Sequence, residues 1–245
     1  KIFFLVVSLS FSLTVSAQSQ PLKEWTVLAF INADNNLYPF AFRNINQMEK
    51  VGSSEQVNIV VQLDHRKKGI ATGRYYIEHN PNPPAGTVTS PLLMELGETN
   101  MGDSKTLADF LVWGVKNYPA KRYAVVIWNH GSGWTGISYD DEPLDHLTMP
   151  ELRVGLEAMN QAIAMQSRRV VSQKNIPQID VLNFDACVMS TLEVAYEVKN
   201  VAKTVVGSQF NEPGAGEDYT KILGPLVKNP TMPTKEFLEL MVYQY

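Results

Sequence analysis

The chain has 245 residues, of which 44% are apolar and 19% charged, and its formal net charge is −4. This is the balance of a globular protein with a sizeable core, and the absence of a Lys/Arg stripe with interleaved aromatic residues argues against nucleic acid as a partner. A single cysteine excludes an internal disulfide.

The first 17 residues have the pattern of a secretory signal peptide. Lys1 precedes an apolar segment that is interrupted only by Ser and Thr, and small residues end at Ala17. The segment is shorter than the roughly 20 residues that a transmembrane helix needs, so we expect no stable membrane span after signal removal. Residues 18–245 are predicted to form one domain, secreted or periplasmic, and truncated at its C-terminus because the sequence stops inside an apparent helix.

Apolar runs alternate with segments of helical periodicity along the rest of the chain. The predicted strands are 26–34, 57–64, 74–78, 123–129, 179–185 and 204–209. The predicted helices are 38–51, 104–117, 149–166, 190–200, 219–227 and 234–245. Strand 74–78 is expected at a sheet edge, and the polar segments 80–91, 132–147 and 166–177 are expected to be loops. This alternation predicts an α/β sandwich with a mostly parallel sheet.

Two predicted strands are followed by residues that can form a catalytic pair. His130 follows one strand and Cys187 follows the next, so both are expected at the carboxyl edge of the sheet. An imidazole there can deprotonate the thiol or protonate a leaving amine. A structural histidine and a buried structural cysteine are the alternatives. His65 is the alternative base, although His65, His79 and His146 all lie in polar surroundings and are expected to face solvent.

The residues beside this pair suggest two further roles. The backbone N–H groups of Gly131 and Cys187 are candidates for an oxyanion hole, and glycine leaves room there for substrate. Asp185 precedes the cysteine by two residues, so both side chains lie on one face of an extended segment. Its carboxylate is a candidate partner for an Arg or Lys side chain of a substrate. The alternative is a carboxylate that caps the following helix.

Residues 128–134 (WNHGSGW) and 185–190 (DACVMS) resemble the two catalytic blocks of the clostripain family of cysteine peptidases, which shares a clan with caspases, gingipains and legumain. The resemblance extends from about Trp25 to Gly214. It implies a caspase-like three-layer α/β/α sandwich with a mostly parallel central sheet, and a His130–Cys187 dyad. It also implies cleavage of proteins or peptides after Arg or Lys, with Asp185 in the S1 pocket. A second S1 acid is expected near Asp218 or Glu217.

Family members are usually secreted and often mature from a zymogen by cleavage after a basic residue between the two blocks. Here residues 140–149 contain no Lys or Arg, so processing is expected at Arg153, within 168–174, or not at all. The rival hypothesis is a non-catalytic exported binding or adhesion domain on the same scaffold. A third hypothesis is a transpeptidase or asparaginyl-type cysteine enzyme of the same clan.

The sequence itself requires no cofactor. Paired Cys or His residues at zinc-binding spacing are absent. Some clostripain relatives depend on calcium, which leaves calcium open for this chain. Four acids cluster in one segment, but their spacing matches no EF-hand, and a solvated acidic loop is the simpler interpretation: Asp140, Asp141, Glu142 and Asp145.

Overall fold

A seven-stranded sheet with the order β4-β3-β2-β1-β5-β8-β9 lies at the centre of the protein. The structure is a computed structural model that describes residues 22–66, 71–167 and 177–244. The predicted signal peptide and the predicted processing segment 168–174 fall outside these ranges. The strands are β1 Lys23–Ala33, β2 Val57–His65, β3 Thr72–Tyr76, β4 Leu92–Gly97, β5 Ala120–Trp128, β6 Ile137–Asp141, β7 Leu144–Leu147, β8 Val181–Asp185 and β9 Val205–Val206.

Five adjacent strands of this sheet, β2, β1, β5, β8 and β9, run parallel, whereas β3 and β4 are antiparallel to their neighbours. Both faces of the parallel part are covered by helices. The central strands are therefore buried along most of their length, which is why they are nearly continuous apolar runs in the sequence.

Six helices form two layers, one on each face of the sheet. They are α1 Tyr38–Val51, α2 Ser104–Asn117, α3 Met149–Gln166, α4 Leu192–Val198, α5 Tyr219–Lys228 and α6 Thr234–Gln244. Leu107 and Leu156 pack with Phe30 in one core, and Ile45 and Ile222 pack in the core of the opposite face. The predicted three-layer α/β/α sandwich is confirmed. None of the described helices has the length and hydrophobicity that a bilayer crossing requires.

Helices α1, α2 and α3 occupy the predicted residues because each has clear end signals. Asp103 caps α2 by accepting from Lys105 N at 2.8 Å, and Thr148 forms a capping box with Glu151 at the start of α3. Gly52 ends α1 with a positive φ of 71°.

Three strands were not predicted. Strand β4 lies outside β3, so β4 and not β3 is the edge strand. Its apolar run is only three residues long, Leu92, Leu93 and Met94, and these residues are exposed rather than buried as in the central strands. Strands β6 and β7 form a hairpin within the predicted loop 132–147. They pair with each other outside the main sheet, so their polar sequence does not show the pattern of a buried strand.

Candidate active site

His130 and Cys187 lie at the same edge of the sheet for a simple geometric reason. Strands β5 and β8 are parallel neighbours in which Trp128 pairs with Asp185, and each functional residue follows its strand by two positions. Both line one open cleft of about 790 Å³ together with Asn36 and Glu212. The structure therefore brings the two predicted catalytic residues to one site.

Gly131 packs directly against the turn that carries the cysteine. A Cβ at this position would overlap the carbonyl oxygen of Cys187 and would lie 2.8 Å from Met189 Cγ. Only glycine allows this approach of the two backbones. Within the described part of the chain, the N–H groups of Gly131 and Cys187 have no hydrogen-bond acceptor. Two adjacent, unused N–H groups beside a thiol are the donors that an oxyanion hole needs.

The turn after the nucleophile is strained. Val188 has a φ of 51°, which is rare for a β-branched residue. Its N–H donates to Phe210 O at 3.0 Å, which helps to hold the conformation. Strain of this kind costs on the order of 1–3 kcal/mol and is concentrated at functional sites.

The ring of His130 is oriented by a residue that the sequence analysis did not identify. His130 Nε2 lies 2.6 Å from Asn36 Oδ1. An amide oxygen only accepts, so Nε2 carries the proton and Nδ1 is left as the basic nitrogen. Burial lowers the pKa of His130, opposed by the charge of Asp141. The imidazole is therefore neutral near pH 7 and can accept a proton.

The thiol of Cys187 contacts the loop that follows β9. Glu212 N donates to Cys187 Sγ at 3.2 Å. Glu212 lines both the open cleft and a smaller cavity beside the thiol, and its carboxyl group lies within hydrogen-bonding reach of that of Asp185. The sequence analysis did not identify Glu212 either, because its position depends on the path of the loop.

Asp185 lies at the wall of a cavity of about 240 Å³ that adjoins the thiol. It is only 4% exposed and accepts from Tyr219 Oη at 2.7 Å and from Glu217 N at 3.2 Å. Burial raises its pKa, and these hydrogen bonds oppose the rise. Gly216 lines the same cavity, and a Cβ there would lie 2.7 Å from Asp185 Oδ2. The carboxylate is thus held rigidly, as a recognition group should be.

Of the two further acids proposed for this pocket, Glu217 lies next to Asp185. Burial, and then the charge of Asp185, raise the pKa of Glu217 to about 8. Its Oε2 accepts from Asn183 Nδ2 at 2.7 Å. Asp218 instead caps α5, where it accepts from Thr220 N at 3.1 Å and faces Lys221 Nζ at 3.6 Å. The structure therefore does not bring Asp218 to the cavity wall.

The other histidines lie elsewhere. The expectation that His65 faces solvent was wrong: it is 4% exposed, and its ring contacts Tyr38 and Phe42. It ends β2 and does not line the cleft beside the thiol. His79 is exposed as expected. His146 is partly buried because its ring stacks on Tyr139 with centroids 4.8 Å apart.

The predicted acidic loop is only partly solvated. Asp140 is 1% exposed and accepts from Met101 N and Glu142 N at 2.7 and 3.0 Å. Its burial was not predicted, because only the hairpin places it against the sheet. Asp141 pairs with Arg66 at 3.0 Å on the exposed side.

The chain is similar to known cysteine peptidases. The Clostripain family profile matches residues 29–245. Clostripain of Hathewaya histolytica is 29% identical over 227 residues, which cover 80% of this chain and 41% of that protein. The chain thus spans less than half the length of this curated relative.

Solved structures show the same fold. One is a secreted C11 cysteine protease from Bacteroides thetaiotaomicron in complex with an irreversible peptide inhibitor. It matches with a TM-score of 0.71 at 24% sequence identity, and the match covers 91% of this chain and 58% of that chain. Another is an inactive zymogen C11 protease from Parabacteroides distasonis, with a TM-score of 0.63 at 20% sequence identity. This match covers 92% of this chain and 59% of that chain. Since the family profile matches most of its residues, the chain belongs to the clostripain family of C11 cysteine peptidases.

Proposed function

We propose that this protein is an exported cysteine endopeptidase that cleaves peptide bonds after Arg or Lys. One observation carries the proposal: His130 and Cys187 follow paired ends of neighbouring strands and line one cleft, which adjoins a cavity with a buried carboxylate at its wall. The base, the nucleophile and the recognition group therefore converge on a place where one substrate can contact all three.

The proposed reaction uses the tautomer that Asn36 selects. Nδ1 of His130 accepts the thiol proton, and Cys187 Sγ attacks the carbonyl carbon of the scissile bond. The imidazolium then protonates the leaving amine as the C–N bond breaks, which leaves a thioester. Water, deprotonated by His130, hydrolyses the thioester and returns the thiol. The N–H groups of Gly131 and Cys187 would hold the oxyanion in both halves, each typically worth about 10²–10³ in rate.

The carboxyl groups around the cavity beside the thiol favour a basic side chain at the P1 position of the substrate. Asp185 and Glu212 line the cavity beside the thiol, and Glu217 lies directly behind Asp185. A guanidinium or ammonium group entering this cavity would neutralise carboxyl groups that are otherwise costly to ionise there. A neutral P1 side chain would leave them uncompensated, which disfavours the asparaginyl-type alternative.

The substrates we propose are proteins or peptides with Arg or Lys at P1. Residues 1–17 support export, to the medium or the periplasm. The proposed steps use only side chains and backbone groups of this chain, so the chemistry requires no cofactor. If calcium has a role, we place it away from the reacting atoms.

Hydrolysis of fluorogenic peptides with Arg, Lys, Asn, Asp or Leu at P1 tests this function. We expect turnover only with Arg and Lys. A folded protein that cleaves none of the peptides, also after nicking with trypsin, would instead support the non-catalytic binding domain. Preference for Asn would support the asparaginyl-type enzyme.

Asn36 is expected to act as a positioning residue for His130. Asn36→Ala removes the acceptor at Nε2 and lets the ring choose the wrong tautomer, so kcat should fall about 10- to 100-fold with little change in KM. Asn36→Asp keeps the acceptor but adds a charge that raises the pKa of His130. The acidic limb of the kcat/KM profile should then move to higher pH.

Because Asn36 is exposed, neither change should alter the melting temperature by more than a degree or two. Equal loss of kcat in both variants, with an unmoved pH profile, would contradict the positioning role.

If the proposed specificity holds, we expect self-processing after Arg168, Arg169 or Lys174 rather than after Arg153. Arg153 lies within α3 and pairs with Glu157 and Glu197, both at 2.7 Å. A peptidase needs an accessible, locally opened segment, which a packed helix does not offer. N-terminal sequencing of incubated protein should therefore find a new terminus within 169–175, absent from Cys187→Ala protein. A terminus at Val154 would overturn this assignment.

A further inference from the structure

A second group of acids lies near the catalytic cleft, at the carboxyl ends of β1 and β2. Asp34 follows β1, Asp64 lies near the end of β2, and Glu98 follows β4. One carboxylate oxygen from each of the three residues lies within 4.8 Å of the others. The strand order β4-β3-β2-β1 brings these three chain segments to one corner of the sheet.

Two of these carboxylates have an oxygen that the protein does not satisfy. Asp34 is 3% exposed and Asp64 is 1% exposed. In the described parts of the chain, Oδ2 of each has no hydrogen-bond partner. The other oxygen of Asp64 accepts from His65 N at 2.9 Å and Thr72 Oγ1 at 2.8 Å, so the side chain is fixed. A buried carboxylate oxygen without a donor is destabilising, and a bound cation would satisfy it.

The three acids also lack a cationic partner among the described residues. Across residues 22–66, 71–167 and 177–244, no Lys or Arg forms an ion pair with any of the three acids. Asp140 adds a further buried carboxyl group beside Asp34. In the described residues, carboxyl groups therefore gather at this corner of the sheet without a paired Lys or Arg side chain on any of the three acids.

We propose that Asp34, Asp64 and Glu98 bind one hard divalent cation, with Ca²⁺ as the preferred ion. Carboxylate oxygens are the ligands that such cations favour. A Ca²⁺ ion at about 2.4 Å from each ligand can bridge oxygens up to 4.8 Å apart, whereas Mg²⁺ at about 2.1 Å spans less. Glu98 is exposed and gives the ion a route from solvent, and water would complete the coordination.

The site is connected to the catalytic histidine through a short turn. Asp34 N donates to Asn32 Oδ1 at 3.1 Å, and Asp34 O accepts from Asp141 N at 2.8 Å. Asn36, two residues later, holds His130. A cation on Asp34 would stiffen this turn and favour the oriented imidazole. This effect on activity rests on the proposed function, whereas binding of the cation does not.

Calorimetric titration and thermal melts of EDTA-treated Cys187→Ala protein test the site, because this variant cannot digest itself. We expect one Ca²⁺ per chain and a melting temperature about 5 °C higher at 100-fold excess over Kd. Mg²⁺ should bind more weakly. Asp64→Asn should abolish Ca²⁺ binding. In EDTA its melting temperature should be no lower than that of the parent protein, because the substitution removes a buried charge. Glu98→Gln, a change at an exposed residue, should weaken binding at least 10-fold.

The matched control is Asp145→Asn, an exposed acid of the β6–β7 hairpin, which should bind Ca²⁺ like the parent. Absence of any Ca²⁺-dependent heat or melting shift in folded parent protein would overturn the proposal, as would unchanged binding in Asp64→Asn. Ca²⁺ binding by a protein that cleaves none of the peptides would uphold the site and refute the proposed peptidase function.

Discussion

Replacing Cys187 with alanine is expected to reduce kcat/KM for an Arg-P1 peptide by at least about 10⁴-fold, because no thioester can form without the thiol. Fold and stability should be retained. Sγ is half-buried and accepts one hydrogen bond, from Glu212 N, so the melting temperature should change by only a few degrees. Steady-state hydrolysis of the purified variant measures the effect.

Thiol alkylation provides a control that does not depend on substrate choice. Cys187 is the only cysteine of the chain, so every alkylated residue is this one. A thiol beside a basic imidazole should react with iodoacetamide rapidly near neutral pH, and His130→Ala should slow the reaction at least 10-fold. Equal rates in both proteins, or hydrolysis that survives in Cys187→Ala, would refute the dyad.

Replacing Asp185 with asparagine is expected to reduce kcat/KM for Arg and Lys peptides about 100-fold. The change removes the buried carboxylate that would pair with the cationic side chain, and the loss of such a pair typically costs about 2–5 kcal/mol. Glu212 and Glu217 would retain part of the attraction. Cleavage of a Gln- or Leu-P1 peptide should not fall in parallel, so the ratio of the two rates is the quantity to measure.

The pH dependence follows from the raised pKa values. Glu217, with a pKa of about 8, is protonated in the free enzyme at neutral pH, and a cationic P1 side chain binds better to the ionised pocket. The rate constant kcat/KM for Arg peptides should therefore rise with pH up to about 8. In Asp185→Asn burial still raises the pKa of Glu217, but the added repulsion from Asp185 is lost, so the rise should occur at lower pH.

Asp218→Asn is the matched control for this pocket. It makes the same chemical change two residues after Gly216, but at the cap of α5. We expect kcat/KM to stay within about twofold of the parent. A large loss in Asp218→Asn with a small one in Asp185→Asn would reverse the assignment of the recognition acid.

Much of the fold could be predicted because its signals are local. The strands β1, β2, β5 and β8 are buried on both faces and therefore stand out as apolar runs. Strand β4 and the β6–β7 hairpin could not be found in this way. The hairpin is rich in polar residues, and the apolar run of β4 is short and exposed, so only pairing with a neighbour makes them strands.

The same distinction holds for the candidate site. Positions 130 and 187 could be assigned to one edge because parallel strands present their carboxyl ends together. The contacts of Asn36 and Glu212 could not be predicted in this way. Asn36 lies in a turn after β1 and Glu212 in a loop after β9, and each is distant in sequence from the residue it contacts. The choice between Glu217 and Asp218 also required the structure, because adjacent residues at a helix start point in different directions.

From the amino-acid order alone, the α/β architecture and the placement of His130 and Cys187 at one sheet edge could be predicted, because periodic burial and strand ends are encoded in consecutive residues. The contact of Asn36 with His130, the acids beside Asp185 and the convergence of Asp34, Asp64 and Glu98 emerge only in the folded chain. These features depend on strand order and on the paths of loops, and both are set by packing between segments that the local sequence pattern does not relate.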